Sequence, residues 1–400
     1  MSSHDLHCIG RLGRVWFHTL LFVLALGGCG GGVDSGGTGA PAKSASASGP
    51  ITGFGSVIVN GVHFDDSSAS IIDTDGTVHS RDELKLGMTT SIRGSALVVN
   101  STGTRSTATS IVFGSAILGP VDNIDTLAKT LIVLGQTVDV TPTTVFDSSL
   151  NGGLAALSVG DVIEVYALFD AFNNHYSATR IERKTSFSAY HLRGVVRNLD
   201  TASKTFNIGS ETISYAGVPA SEVPAALADG RFLRVQLQTA PAAGVWLAIR
   251  LRDGVRPLDD QDAARVEGLI SDFTSSTQFS VDGVNVNASQ ARVTGNTALG
   301  LGVRVAVAGT ASSGVLVAST VQIKTEADVQ NEGFELDGAI SAIDTVNRNF
   351  VLRGVTVDYS SSDFPDGTIS DLAVGKFVEV NGTLSADSTG LHAIRIRFTL

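Results

Sequence analysis

The chain has few side chains with which to begin chemistry. Its two cysteines, Cys8 and Cys29, both lie near the amino end, so the rest of the chain has no thiol for a disulfide, a zinc site or a covalent nucleophile. Carboxylates cluster at Asp65 and Asp66 and again at Asp73 and Asp75, where the D-x-D-G order ending on Gly76 could offer two oxygens to calcium, but the further ligands and closing glutamate of a calcium loop are missing. A turn built on Asp75 and Gly76 accounts for them as well, and no metal or cofactor is expected. His63, His79, His175, His191 and His392 share no common position and read as surface groups. Nucleophile elbows, paired-histidine zinc motifs, dinucleotide loops and phosphate loops are all absent. Arginine gives a clearer pattern. Arg180, Arg250 and Arg395 each stand just before the last apolar residue of similar segments, and Arg183, Arg252 and Arg397 follow two or three residues on. On an acidic protein these form a candidate binding stripe for carboxylates of a polymer or partner. The plainer explanation is a charged edge that blocks aggregation.

Positioning such groups requires a fold, and composition restricts its class. Of 400 residues, 43% are apolar and 17% charged, the balance of a folded chain. Forty-four glycines against nine prolines, with runs that alternate apolar and polar residues, indicate many short strands joined by tight turns. The formal charge of −11 repels phosphate backbones, so nucleic acid is excluded as a partner.

The amino end reads as an address. Arg11 and Arg14 precede an apolar run over residues 15–26, too short to span a bilayer but suited to a secretory signal. Leu26, Gly27, Gly28 and Cys29 follow, and this order resembles the lipobox of bacterial lipoproteins. The resemblance implies cleavage after Gly28 and lipid attachment at Cys29. Several acyl chains at about 0.8 kcal/mol per buried CH₂ would make that anchor durable. Gly30 rather than aspartate follows, which in that pattern implies the outer membrane. Residues 29–50 are mostly Gly, Ala and Ser and read as a flexible linker.

Beyond it one unit recurs five times. Ala108 and Ile111, Ala178 and Ile181, Ala248 and Leu251, Ala318 and Val321, and Ala393 and Ile396 share an A-x-x-[ILV] ending, spaced 70, 70, 70 and 75 residues apart. Gly87, Gly160, Gly230, Gly302 and Gly375 each precede an apolar residue five positions on. Gly119, Gly194, Gly268 and Gly338 open copies two to five, while the first copy reads as abbreviated. A second glycine, such as Gly283 or Gly354, divides two apolar runs and reads as a hairpin turn.

About five strands per copy give a sheet with one apolar face and two open edges, and closing it solves both problems. The expectation is an all-β tandem array of five small OB-like β-barrel repeats, with a small β-sandwich per repeat as the alternative. The boundaries are 1–28 for the signal peptide, 29–50 for the lipidated cysteine and linker, and 51–115, 116–186, 187–260, 261–326 and 327–400 for the repeats. Units this small pack end to end, as beads or a gently curved rod. These landmarks together resemble the bacterial family called domain of unknown function 5666, over residues 51–398. The resemblance implies an exported, often lipidated, β-rich repeat protein and no activity.

The functional expectation is a non-enzymatic, lipid-anchored cell-envelope protein acting as a binding or spacer module. Its partners would be the membrane, through the lipid, and a protein or anionic polymer of the envelope. The competing expectation is an envelope hydrolase with a site assembled between repeats.

Overall fold

Period-two alternation dictates strands, and the strands close on themselves. The computed structural model describes residues 43–101, 103–255 and 257–399. Gly28 and Cys29 lie outside the described residues.

Unit five shows the frame. Phe334–Asp344 pairs antiparallel with Asn349–Leu352, which pairs antiparallel with Val355–Asp358. That strand runs parallel to Leu391–Phe398, which pairs antiparallel with Phe377–Leu384, and this last strand returns to Phe334–Asp344. The cycle is a closed five-stranded OB-like barrel. The same cycle recurs in units one to four, with the first strand split in unit three and the third strand split in units one and four.

The sequence landmarks are the joints of this frame. Gly87, Gly160, Gly230, Gly302 and Gly375 all have φ between 75° and 90°, a left-handed conformation that glycine adopts without steric cost. Each donates its N–H to the carbonyl of one first-strand residue, respectively Ile51, Val121, Val196, Ile270 and Ile340, at 2.8–2.9 Å. The residue after each glycine accepts a bond back from that same residue. A repeated glycine thus closes every barrel.

The A-x-x-[ILV] ending is a β-bulge. In unit two Ala178 faces Ala167 and Arg180 faces Tyr166, leaving Thr179 as the extra residue. The same skip occurs at Thr109, Ile249, Ser319 and Ile394. The bulge crowds the facing strand, and a β-carbon at Gly309 would collide with the Val317 carbonyl.

Two expectations need correction. The linker does not extend to residue 50, because Ser44–Phe54 is one continuous first strand with Ala45 and Ala47 fully buried. Gly49 is the opening glycine of unit one, since Ile51 two residues later holds the place of Val121, two after Gly119. The hairpin that follows is the abbreviated part, turning at Gly55 and Ser56. Nor do the barrels follow one another like beads. Ala45, Ser46, Ala47 and Ser48 pair in parallel with Ala263, Ala264, Arg265 and Val266 of unit four, and Gly53 and Phe54 pair with Glu335 and Leu336 of unit five. Alanine and serine at residues 45–48, with Ala263 and Ala264 opposite, permit the first approach, and glycine permits the second: a β-carbon on Gly53 would meet the Glu335 carbonyl at 2.5 Å. Units two and three share one apolar core, units one and five a second, and unit four has its own.

Candidate functional site

One outward-facing row is repeated in every barrel. The residue four after each closing glycine points away from the interior, since the apolar residue five after it points in. Its cross-strand partners complete a row of three. The rows are Ser48, Ser91 and Val112 in unit one, Leu118, Glu164 and Glu182 in unit two, and Arg193, Arg234 and Arg252 in unit three. Unit four has Glu267, Ala306 and Gln322, and unit five Asp337, Glu379 and Arg397.

The rows of units two and three flank the junction with unit one, which makes it the candidate site. In unit two, Lys184 Nζ lies 2.7 Å from Glu164 and 3.1 Å from Glu182, and Arg180 Nε donates to Glu182 at 2.6 Å. Burial disfavours a charged Glu182, but Arg180 and Lys184 outweigh it and hold its carboxyl below the ordinary carboxylate value.

Unit three sets three guanidiniums side by side. Arg193 is bound to Asp282 at 2.9 Å and lies over the Phe232 ring at 4.8 Å. Arg234 is buried and donates to the Ser115 carbonyl at 2.6 Å, and burial pushes its guanidinium below the ordinary value. Arg252 reaches the Thr74 carbonyl at 3.3 Å. A cleft of about 350 Å³ opens on Arg252, Ser115 and Thr74. Thr74, Ser115 and Arg234 also line a second cleft of about 440 Å³, which holds His79, His191, Asp75 and Glu164. There His79 bridges Glu83 at 2.7 Å and Asp73 at 3.0 Å, while His191 faces Asp75 at 3.3 Å. His191 is not a surface group, because Asp75 of unit one packs over it, whereas His79 is held half-exposed by Asp73, Glu83 and Phe113 of its own unit.

The frame also connects this chain to known proteins. Residues 119–182 and 337–397 match the family model described as Domain of unknown function (DUF5666). Units two and five carry the DUF5666 signature. No curated protein matches the chain. Among solved structures, drosophila Unr CSD456 is similar over 42% of this chain and 78% of that one at 13% identity. Its TM-score is 0.15, at which the likeness carries no argument.

Within the shared barrel frame the three stripe arginines have the same register but not the same environment. Arg180 is buried, bonding the Leu86 carbonyl of unit one at 3.2 Å and lining a cleft of about 430 Å³ with Phe54, Phe146 and Arg353. Arg250 is half-buried, and Arg395 is exposed beside Asp363 at 3.5 Å. The candidate binding stripe through Arg180, Arg250 and Arg395 is therefore corrected at Arg180, which is buried against unit one. The bulge aims all three out of their barrels, but outside unit two lies unit one. The row that sequence reasoning missed is Arg193, Arg234 and Arg252; its signal was an arginine at one register on three strands that pair.

Asp73 accepts from the N–H groups of Asp75 and Thr77 at 2.8 and 2.9 Å, a turn rather than a calcium loop. Among the described residues no group of three or more His, Cys, Asp or Glu side chains is placed to hold a metal. In unit five, Ser361 Oγ lies 2.9 Å from His392 Nε2, and His392 Nδ1 lies 3.1 Å from Asp358. This is the hydroxyl, imidazole and carboxylate order of a nucleophilic relay.

Proposed function

We propose that this chain is a non-enzymatic, lipid-anchored protein of the bacterial cell envelope, held at the outer membrane through Cys29, whose packed barrels form a binding module for a protein or anionic polymer. One observation carries the reading. At the junction the groups that could act as acids or bases hold one another: both His79 nitrogens face carboxylates, and Glu164 and Glu182 share Lys184. Groups saturated in this way organise a surface, whereas a general base needs a free lone pair. Replacing Cys29 with serine abolishes recovery in the membrane fraction; normal anchoring of that variant refutes the lipid attachment.

Ser361, His392 and Asp358 favour a second reading, an envelope hydrolase. Against it, Asp358 and His392 have side chains 42% and 38% exposed, so water competes for each bond that would activate the serine. Treatment with a fluorophosphonate probe separates the two readings. The binding module leaves Ser361 unlabelled, whereas labelling that Ser361→Ala removes would establish the hydrolase.

A further inference from the structure

Three arginines directly opposite one another cost stability unless something sits between them, because like charges on facing strand positions repel. Unit three nevertheless places Arg193, Arg234 and Arg252 in one row. Arg193 is neutralised by Asp282. Arg234 and Arg252 have no carboxylate within ion-pair distance among the described residues; the bonds they make to oxygen go to the backbone carbonyls of Ser115 and Thr74.

The same place holds donors without acceptors. Arg234, 8% exposed, has its Nε–H unpartnered, and Ser115, 2% exposed, has its hydroxyl unpartnered. Thr74 Oγ1 is likewise buried with no partner. These atoms belong to one locus: Arg234 binds the Ser115 carbonyl, Arg252 binds the Thr74 carbonyl, and the Thr74 side chain packs on Gly114 beside Ser115. All four residues line the cleft of about 350 Å³. Buried polar groups are nearly always hydrogen-bonded, so a cluster of orphan donors beside two cations that lack a carboxylate at ion-pair distance, Arg234 having only His191 Nδ1 at 3.5 Å besides the Ser115 carbonyl, calls for an acceptor.

We propose that Arg234, Arg252, Ser115 and Thr74 form a binding site for an oxyanion, the oxygens of a phosphate or carboxylate group. This deepens the binding-module reading and rests on it, giving the anionic partner a point of attachment where units one and three meet. The anion accepts from Arg234 Nε and the Arg252 guanidinium, and the hydroxyls of Ser115 and Thr74 turn their protons toward it. Its charge removes the repulsion across the row.

The test is thermal unfolding of the full chain titrated with sodium phosphate or sodium acetate, at constant pH and ionic strength balanced with sodium chloride. A saturable rise in Tm with either anion is expected, and the salt that produces it distinguishes a phosphate-bearing from a carboxylate-bearing partner. Phosphate also stabilises proteins by exclusion from their surfaces, so the variants decide. Ser115→Ala and Arg252→Gln each weaken the half-saturating concentration on the order of tenfold to a hundredfold, the usual effect of losing a hydrogen bond to a charged group. Both variants keep a near wild-type Tm in chloride, which separates lost binding from lost folding. Equal Tm in all three salts, or titrations that the variants leave unchanged, would overturn the site. Neither result bears on membrane fractionation or Ser361 labelling, so the site can fail while the broader reading stands.

Discussion

Units two and three carry opposite charges at the same place on the same frame. In unit two, Glu164 faces Glu182 across the strand pair, and in unit three, Arg234 faces Arg252. Both arrangements start from like-charge repulsion. Unit two resolves it internally, with Lys184 between the two carboxylates and Arg180 on the far side of Glu182. Unit three leaves its second and third arginines, among the described residues, without a carboxylate at ion-pair distance, Asp75 and Glu164 acting on Arg234 only from further off. The frame fixes where the row points, and its degree of saturation separates structural from binding roles.

Breaking the saturated row has the largest expected effect. Arg180→Met removes a buried cation, leaves Glu182 to Lys184 alone and strands the Leu86 carbonyl. Losing one partner of a buried pair costs about 3–5 kcal/mol, and the remaining lysine places this variant near about 3 kcal/mol. Chemical denaturation measures it. A loss below about 1 kcal/mol would mean that Arg180 is not what balances the carboxylate row.

Arg252→Gln sharpens the comparison from the other side. Arg252 is exposed and opposes a like charge, so in chloride its removal changes stability by no more than about 0.5 kcal/mol, with relief of repulsion offsetting the bond to Thr74. Were this variant as destabilised as Arg180→Met, the arginine row would be a structural brace and the contrast between the units would vanish.

How much of this was legible in the chain depends on the range of the forces involved. The closing glycines and the A-x-x-[ILV] bulge are local requirements of one barrel, so they recur and can be read. Gly49, Pro50 and Ile51 match Gly119, Pro120 and Val121 with the same spacing of 70 as the closing motifs, yet the Ser and Ala before them imitate a linker. Those small residues are there because Ala45 and Ala47 pack beside the first strand of unit four. Contacts between units leave no period. His191 meets Asp75, and Arg180 meets Leu86, through the packing of one barrel on another, which five similar sequences cannot specify by spacing alone. For the same reason register predicted that Arg180, Arg250 and Arg395 would leave their barrels, but not what they would meet outside.

The smallest expected effect lies in the two histidines beside the rows, whose pH dependences have opposite signs. Burial opposes a charged His79, but Glu83 and Asp73 outweigh it and hold its pKa above the ordinary 6.5; Glu83 in turn, bonded to His79 and Ser80, falls to about 2. The histidine therefore contributes stability that is complete below pH 6.5 and fades as pH rises through its raised value. The glutamate contributes stability that is complete above 4.5 and fades as pH falls toward 2. The clamp is strongest between those limits, and because Glu83 is exposed and lies four residues from His79 its worth is about 0.3–0.5 kcal/mol. His191 is the reverse: burial, with Arg234 adding to it against Asp75, lowers its pKa, so the folded state is penalised as pH falls through 6.5. His79→Gln is thus most destabilising near pH 5.5 and closer to wild type at pH 9. For His191→Gln, lowering the pH from 9 to 5.5 shifts stability relative to wild type in the variant's favour. Denaturation midpoints for both variants at the two pH values check the signs, and parallel shifts would show that the junction does not hold one histidine charged and the other neutral.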